Sequence, residues 1–254
     1  MKKIALITGA TAGIGKATAY KLAENNYDLI ITGRRKDRLT DIKNSISNKY
    51  KSDVLILNFD IRNKQEVDKT IDTLPEKWKN IDILINNAGL AAGLNTIQEG
   101  NIDNWEKMID TNIKGLLYIS RKIAPLMIKR KSGHIVNISS IAGKEVYPNG
   151  NVYCATKHAV DALTKAMRID MLNDGIKVTS IAPGMIETEF SLVRFDWDEK
   201  KAKSVYNGLT PLYADDIAEA ILFVITRPSH VNINDMLIMP TAQACATIVK
   251  RENI

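Results

Sequence analysis

Short runs of branched apolar residues alternate along the chain with longer segments whose apolar positions recur every three to four residues. Lys3–Thr8, Asp28–Thr32, Val54–Phe59, Ile81–Ile85, His134–Ile138 and Lys177–Ile181 are short, rich in Ile, Leu and Val, and bounded by turn residues. That pattern predicts buried strands. Met236–Met239 is a weaker seventh. The helical period predicts helices over Ile14–Asn25, Asp37–Asn48, Lys64–Leu74, Ile102–Arg130, Val152–Asn173 and Ala214–Thr226. Strand and helix in strict alternation require right-handed crossovers, hence a parallel sheet of about seven strands covered on both faces. The expectation is an α/β, doubly wound fold with residues 1–254 in a single domain. Gly184–Gly208 fits no strand or helix slot and is polar and aromatic; a segment spanning about 184–210 is expected to cover a substrate as an irregular loop.

Composition changes this picture little. The chain is 45% hydrophobic and 25% charged, which is ordinary for a globular protein. No apolar run approaches the roughly 18–20 residues of a membrane helix. The basic start, Met1-Lys2-Lys3, precedes an apolar stretch too short for a signal peptide, so a cytoplasmic location is expected. Cys154 and Cys245 make no disulfide framework, and His134, His158 and His230 fall in no metal-binding motif. The net charge of +6 favours anionic partners without choosing among them.

The ends of the strands carry the chemistry, because ligands of doubly wound sheets bind there. The first strand runs into Thr8-Gly9-Ala10-Thr11-Ala12-Gly13-Ile14-Gly15. Glycines between a strand and a helix permit a tight turn and let backbone N–H groups approach a pyrophosphate at the helix N-terminus. Gly9, Thr11, Gly13, Ile14 and Gly15 are therefore candidate cofactor contacts, and the fold is expected to be Rossmann-type; the spacing is GxxxGxG rather than GxGxxG. The second strand ends at Gly33-Arg34-Arg35-Lys36. A cofactor with free ribose hydroxyls wants a carboxylate here, whereas a 2′-phosphate wants cations, so Arg34 and Arg35 argue for NADP over NAD. A solvated basic turn is the plainer alternative. Asp60 and Ile61 follow the third strand, where an adenine would lie; Asp60 serves equally well as a cap for a helix starting near Asn63.

Asn87, Ala88 and Gly89 after the fourth strand are small enough to line a cofactor. In Tyr153-Cys154-Ala155-Thr156-Lys157, Tyr153 and Lys157 are i and i+4 on one helix face. An ammonium stabilises a phenolate and lowers a pKa that is otherwise near 10, too high for a general base at neutral pH. Alone, such a pair is usually a surface pair. It gains weight from Ser140, at the same rim of the sheet, whose hydroxyl can donate to an oxygen that becomes an alkoxide.

These motifs, with Pro183-Gly184, stand in the order and spacing of the short-chain dehydrogenases/reductases, which the chain resembles over nearly its whole length. The resemblance implies a catalytic set of Asn112, Ser140, Tyr153 and Lys157, with Asn112 holding a water beside the lysine, and further cofactor contacts from Pro183, Gly184, Ile186 and Thr188. Within the family the C-terminal third is most similar to the NADP-dependent 3-hydroxy acid dehydrogenases, which implies a homotetramer acting on serine, L-allo-threonine or 3-hydroxypropionate/malonic semialdehyde. Cys154 departs from the wider family, where a smaller residue is common, and is expected to pack as a small hydrophobe. A carboxylate substrate needs a cation, and Arg194 is the candidate alongside Ser140 and Tyr153; a surface arginine is the alternative. Two other functions fit the pattern less well: a reductase of keto esters, diketones or steroids, and a non-catalytic NADP(H)-binding regulator, which would be expected to lose Tyr153 or Ser140. Nucleic acid binding would rest on charge alone, since the basic residues Arg121–Lys131 show no aromatic interleaving.

Overall fold

A computed structural model describes residues 2–252. Its strands are β1 (Ile4–Ile7), β2 (Asp28–Gly33), β3 (Val54–Asn58), β4 (Ile81–Asn86), β5 (Gly133–Ile138), β6 (Ile176–Pro183), β7 (Ile186–Glu187), β8 (Leu212–Tyr213) and β9 (Asp235–Ile238). Seven form one sheet in the order β3-β2-β1-β4-β5-β6-β9, and every pairing is parallel. The helices are α1 (Gly13–Glu24), α2 (Lys36–Lys49), α3 (Lys64–Asp72), α4 (Ile102–Ile109), α5 (Leu116–Lys129), α6 (Asn151–Asp170), α7 (Glu189–Arg194), α8 (Glu199–Ser204) and α9 (Ala214–Ile225).

Alternate residues of each strand serve opposite layers, as the two-residue period of a strand requires. Ala5, Ile7, Leu29, Ile31 and Ile85 pack beneath α1, α2 and α9. Ile4, Leu6, Ile30, Leu84 and Ile135 pack beneath α3 and α5. Leu6 and Leu84 are fully buried, and truncating either to alanine is expected to cost about 2–5 kcal/mol. Both β2 and β4 pair with β1, so the chain order reverses between β1 and β4. The crevice at that switch point opens at the carboxyl ends of the strands.

Two stretches differ from the sequence pattern. Ile102–Arg130 is not one α-helix, because Asp110–Gly115 between α4 and α5 is π-helical. A single π turn of six residues is too short to show as a separate period in the sequence, and such turns often sit at functional sites. The segment 184–210 is not an irregular loop. Thr188 caps α7 by accepting from Phe190 N, and Asp198 caps α8 by accepting from Lys201 N. Each helix has only six residues, fewer than two turns, too short to display a period. Among the described residues, no helix is long and apolar enough to cross a membrane and no metal-binding cluster occurs.

Candidate active site

The crevice holds a cavity of about 610 Å3, within the usual size for a ligand site. Of the residues singled out from sequence, all but Gly15 and Asn112 line it. The glycine loop forms its floor. Gly9 and Gly13 have φ of +66° and +51°, which favour glycine. A side chain on Gly9 would stand 2.9 Å from Ala88 Cα, and one on Gly15 would stand 2.5 Å from Asn87 Nδ2 and Gly9 O. Gly15 thus acts from beneath, by letting α1 close on the loop. Thr8 and Asn87 lock the arrangement. Thr8 Oγ1 accepts from the N–H of both Asn87 and Ala88 at 3.0 Å, and Asn87 Nδ2 donates to Thr8 O at 2.9 Å.

At the end of β2 the two arginines diverge. Arg35 is pinned: Nε and Nη2 donate to Thr11 Oγ1, and Nη1 pairs with Glu189 Oε2 at 2.9 Å. Arg34 is largely exposed, with Asp60 4.0 Å away. Asp60 is held mainly by Arg62, and Asn63, not Asp60, caps α3. Arg38 and Glu189 enter this corner unannounced by the sequence. Glu189 bridges Arg35 and Arg38 from the first residue of α7, 151 positions beyond Arg38. Burial alone would raise the Glu189 carboxyl, but the hydrogen bonds from Arg38 and Arg35 hold it below its usual value. The residues fit a phosphorylated dinucleotide: a loop stripped of Cβ atoms at the helix N-terminus, and exposed arginine at the ribose end.

The opposite end gathers Ser140, Tyr153 and Lys157, groups whose chemistry suits proton transfer. Tyr153 and Lys157 are both buried on α6, with Lys157 Nζ 5.9 Å from the tyrosine ring centroid. Nζ donates to Ile138 O at 2.9 Å, spending one of its three protons. Burial lowers the Lys157 ammonium to about 8, so it stays mostly charged at neutral pH. Burial pushes Tyr153 well above the usual tyrosine value, and Tyr147 adds to this; Arg194 and the nearby Ser140 hydroxyl pull it back. Ser140 Oγ accepts from Ala142 N at 3.1 Å and donates over a long 3.5 Å to Pro183 O. That weak bond leaves the hydroxyl free to turn toward a better acceptor.

Asn112 lies in the π turn and is buried. Its Oδ1 accepts from Leu90 N, and its Nδ2 donates to Leu90 O and Thr156 Oγ1 at 2.9–3.0 Å. The side chain is committed to fastening the β4–α4 segment to α6. Any part it takes in a water relay therefore falls to its backbone, where the widened turn interrupts the regular i→i−4 bonding.

Arg194, at the end of α7, is no surface arginine. Its guanidinium carbon is 5.0, 5.4 and 5.7 Å from the ring centroids of Tyr153, Phe190 and Tyr147. Nη2 donates to Tyr147 Oη at 2.5 Å, while Nε is buried with no partner among the described residues. Phe190 and Tyr147 had no sequence signal; the first sits in the unassigned segment and the second in a turn. Gln243 is a further surprise. Buried near the C-terminus, it accepts from Met185 N at 2.7 Å and closes the cavity beside Gly184.

A family model for short chain dehydrogenases matches residues 3–199. The chain belongs to the short-chain dehydrogenase/reductase family. Among its curated relatives is the NADP-dependent 3-hydroxy acid dehydrogenase of Salmonella typhi, 44% identical over 244 residues, 96% of this chain and 97% of that one. Sulfoacetaldehyde reductase 2 of Chromohalobacter salexigens is 42% identical over 245 residues, 96% of each chain. The closed form of serine dehydrogenase complexed with NADP+ superimposes with a TM-score of 0.93 at 41% identity, covering 98% of this chain and 100% of that one. The overall fold of this short-chain dehydrogenase is thus shared with a member of known structure.

Proposed function

We propose that this short-chain dehydrogenase transfers hydride reversibly between NADP and a small 3-hydroxy acid of the serine, L-allo-threonine or 3-hydroxypropionate type. Similarity to relatives named for NADP, 3-hydroxy acids and serine supports the class. The observation that carries the substrate assignment is Arg194, a cation with a buried, unpartnered Nε beside Tyr153. An anion is the natural partner for such a group, since leaving it unpaired is costly. The sulfonate of sulfoacetaldehyde, named in a second relative, is anionic as well.

NADP, when bound, would accept or supply the hydride. The glycine loop would hold its pyrophosphate, Arg34 and Arg35 its 2′-phosphate, Asp60 and Ile61 its adenine, and Pro183, Gly184, Ile186 and Thr188 its nicotinamide end. Tyr153 takes the substrate hydroxyl proton in oxidation and returns it in reduction. Lys157 lowers the Tyr153 pKa by its charge and offers its remaining N–H groups to the nicotinamide ribose. Ser140 turns its hydroxyl from Pro183 O to the reacting oxygen. A non-catalytic regulator would not require Ser140, Tyr153 and Lys157 to meet in one cavity. We further propose that the whole chain acts as one catalytic domain, as a cytoplasmic homotetramer; light scattering on the purified protein tests the tetramer directly.

The experiment is a panel of NADP and NAD crossed with serine, 3-hydroxypropionate and a neutral alcohol, on wild type and Arg194→Ala. Activity is expected with NADP and hydroxy acids. Arg194→Ala is expected to raise KM for the acids roughly 10–100-fold, the worth of a charge-assisted bond, with little change in KM for the alcohol. Equal losses on both substrates would remove the assignment.

A further inference from the structure

Tyr147 stands in the turn that leads into α6. Tyr147-Pro148-Asn149-Gly150 is closed by Gly150 N donating to Tyr147 O at 3.1 Å, with Asn149 at φ +63°. Proline second and a left-handed asparagine third are what a type II turn requires. The glycine that ends the turn has a second use. A side chain on Gly150 would lie 2.2 Å from Cε2 of the Tyr147 ring, so glycine makes room for that ring to lie over the turn. The local sequence therefore places Tyr147 rigidly, six residues before Tyr153 and in the same cavity.

The ring of Tyr147 forms one wall of the Arg194 enclosure, and its hydroxyl accepts from Arg194 Nη2 at 2.5 Å. A phenol accepts and donates at the same time. Having accepted from Arg194, Tyr147 keeps its own proton to give. Burial raises the Tyr147 hydroxyl above the usual tyrosine value although Arg194 opposes this, so that proton is present at neutral pH. Arg194 keeps Nε. Two unspent donors, one on the fixed turn and one on α7, thus lie side by side next to Tyr153.

We propose that Tyr147 is a specificity-determining residue: its hydroxyl and Arg194 Nε together seat the anionic end of the substrate, and its bond to Nη2 fixes the guanidinium for that task. The inference rests on the assignment of Arg194 to the substrate anion. The physical gain is preorganisation. A free arginine carries about 2 kcal/mol of rotamer entropy, and a side chain already held loses less of it when the anion arrives. The bond also joins α7 to the turn before α6, so the anion site completes only when the covering segment is docked on the catalytic helix.

The test is a double-mutant cycle of Tyr147→Phe and Arg194→Ala, measured with 3-hydroxypropionate and with a neutral alcohol. NADPH fluorescence titration runs alongside as a check on the cofactor site. Phenylalanine keeps the ring over Gly150 and removes only the hydroxyl. Tyr147→Phe is expected to raise KM for the acid roughly tenfold, the scale of one hydrogen bond to a charged group. Its kcat for the acid, its KM for the alcohol and its NADPH binding should each stay within about twofold of wild type, the spread of an unrelated surface change. Added to Arg194→Ala, it should cost clearly less than it does alone, because the two act as one unit. An unchanged KM for the acid in Tyr147→Phe, an equal rise for the alcohol, or full multiplication of the two effects would each overturn the proposal. Arg194→Ala alone separates the two levels: if it fails to discriminate acid from alcohol, the Arg194 assignment falls, whereas a selective Arg194→Ala with a silent Tyr147→Phe removes only the role of Tyr147.

Discussion

Tyr153 lies between two cations, Lys157 Nζ at 5.9 Å and the Arg194 guanidinium carbon at 5.0 Å from its ring centroid. Burial works against ionisation of the phenol, and the Arg194 charge works for it. The pair Tyr153–Lys157 was legible from its i,i+4 spacing, because a helix stacks such residues whatever surrounds it. Arg194 was legible only as chemistry in search of a place, and Tyr147 was not legible at all. Nothing local brings an α7 residue against a tyrosine 47 positions earlier. The prediction at this scale concerns Tyr153 itself. Tyr153→Phe is expected to lower kcat by about 10²–10⁴, the usual contribution of a positioned acid or base, while NADPH fluorescence titration shows cofactor binding preserved. Near-normal turnover in that variant would sink the mechanism.

At the scale of elements, α7 and α8 form a cover tied at several points. Glu189 holds it to Arg35 and Arg38, Arg194 O accepts from Gly93 N at 3.0 Å, and Tyr206 Oη donates to Ile186 O at 2.7 Å. The first tie joins the covering segment to Arg35 and Arg38 beside the end of β2, so the corners proposed for cofactor and substrate share a side chain. These charges are about one-third exposed, which limits each pair to about 0.2–1 kcal/mol. Glu189→Gln is therefore expected to speed amide hydrogen exchange across residues 188–206 by a few-fold and to leave β1 to β6 unchanged. Exchange that stays the same in the cover would show that Glu189 does not hold it. The strands were legible because burial on both faces enforces unbroken apolar runs. The two helices of the cover were not, since helices of six residues are set by caps and by what they land on.

For the whole molecule, pH is a probe of the buried sheet. His134 on β5 is buried, with Nε2 2.7 Å from Thr179 Oγ1 and Nδ1 without a partner among the described residues. Burial, aided by Lys177, lowers it from 6.5 to about 3. Between those values the unfolded chain binds a proton that the folded chain refuses, so stability is lost as pH falls from about 6.5 toward 3. The loss from this group has a limiting slope of about 1.4 kcal/mol per pH unit. Urea midpoints measured from pH 7 to 4.5 should decline less steeply in His134→Gln than in wild type; identical slopes would assign the acid sensitivity to other groups. The +6 charge also finds partial owners. Lys122 pairs with Asp72 and Arg130 with Asp82, so part of the basic stretch Arg121–Lys131 is committed to the fold. Arg34, Arg35, Lys157 and Arg194 line the cavity.

The sequence by itself determined the sheet, the layers around it, the glycine loop, and the Ser140–Tyr153–Lys157 set. All of these depend on periodicity or on spacing within one or two adjacent elements, and such local geometry survives any choice of neighbours. The tertiary structure alone decided which charges and rings meet across the crevice. It set Glu189 between Arg35 and Arg38, spent the Asn112 side chain on Leu90 and Thr156, and enclosed Arg194 among Tyr147, Tyr153 and Phe190. Those contacts join residues far apart in the chain, and no pattern within an element encodes them, because they arise only when the covering segment folds back onto the carboxyl ends of the strands.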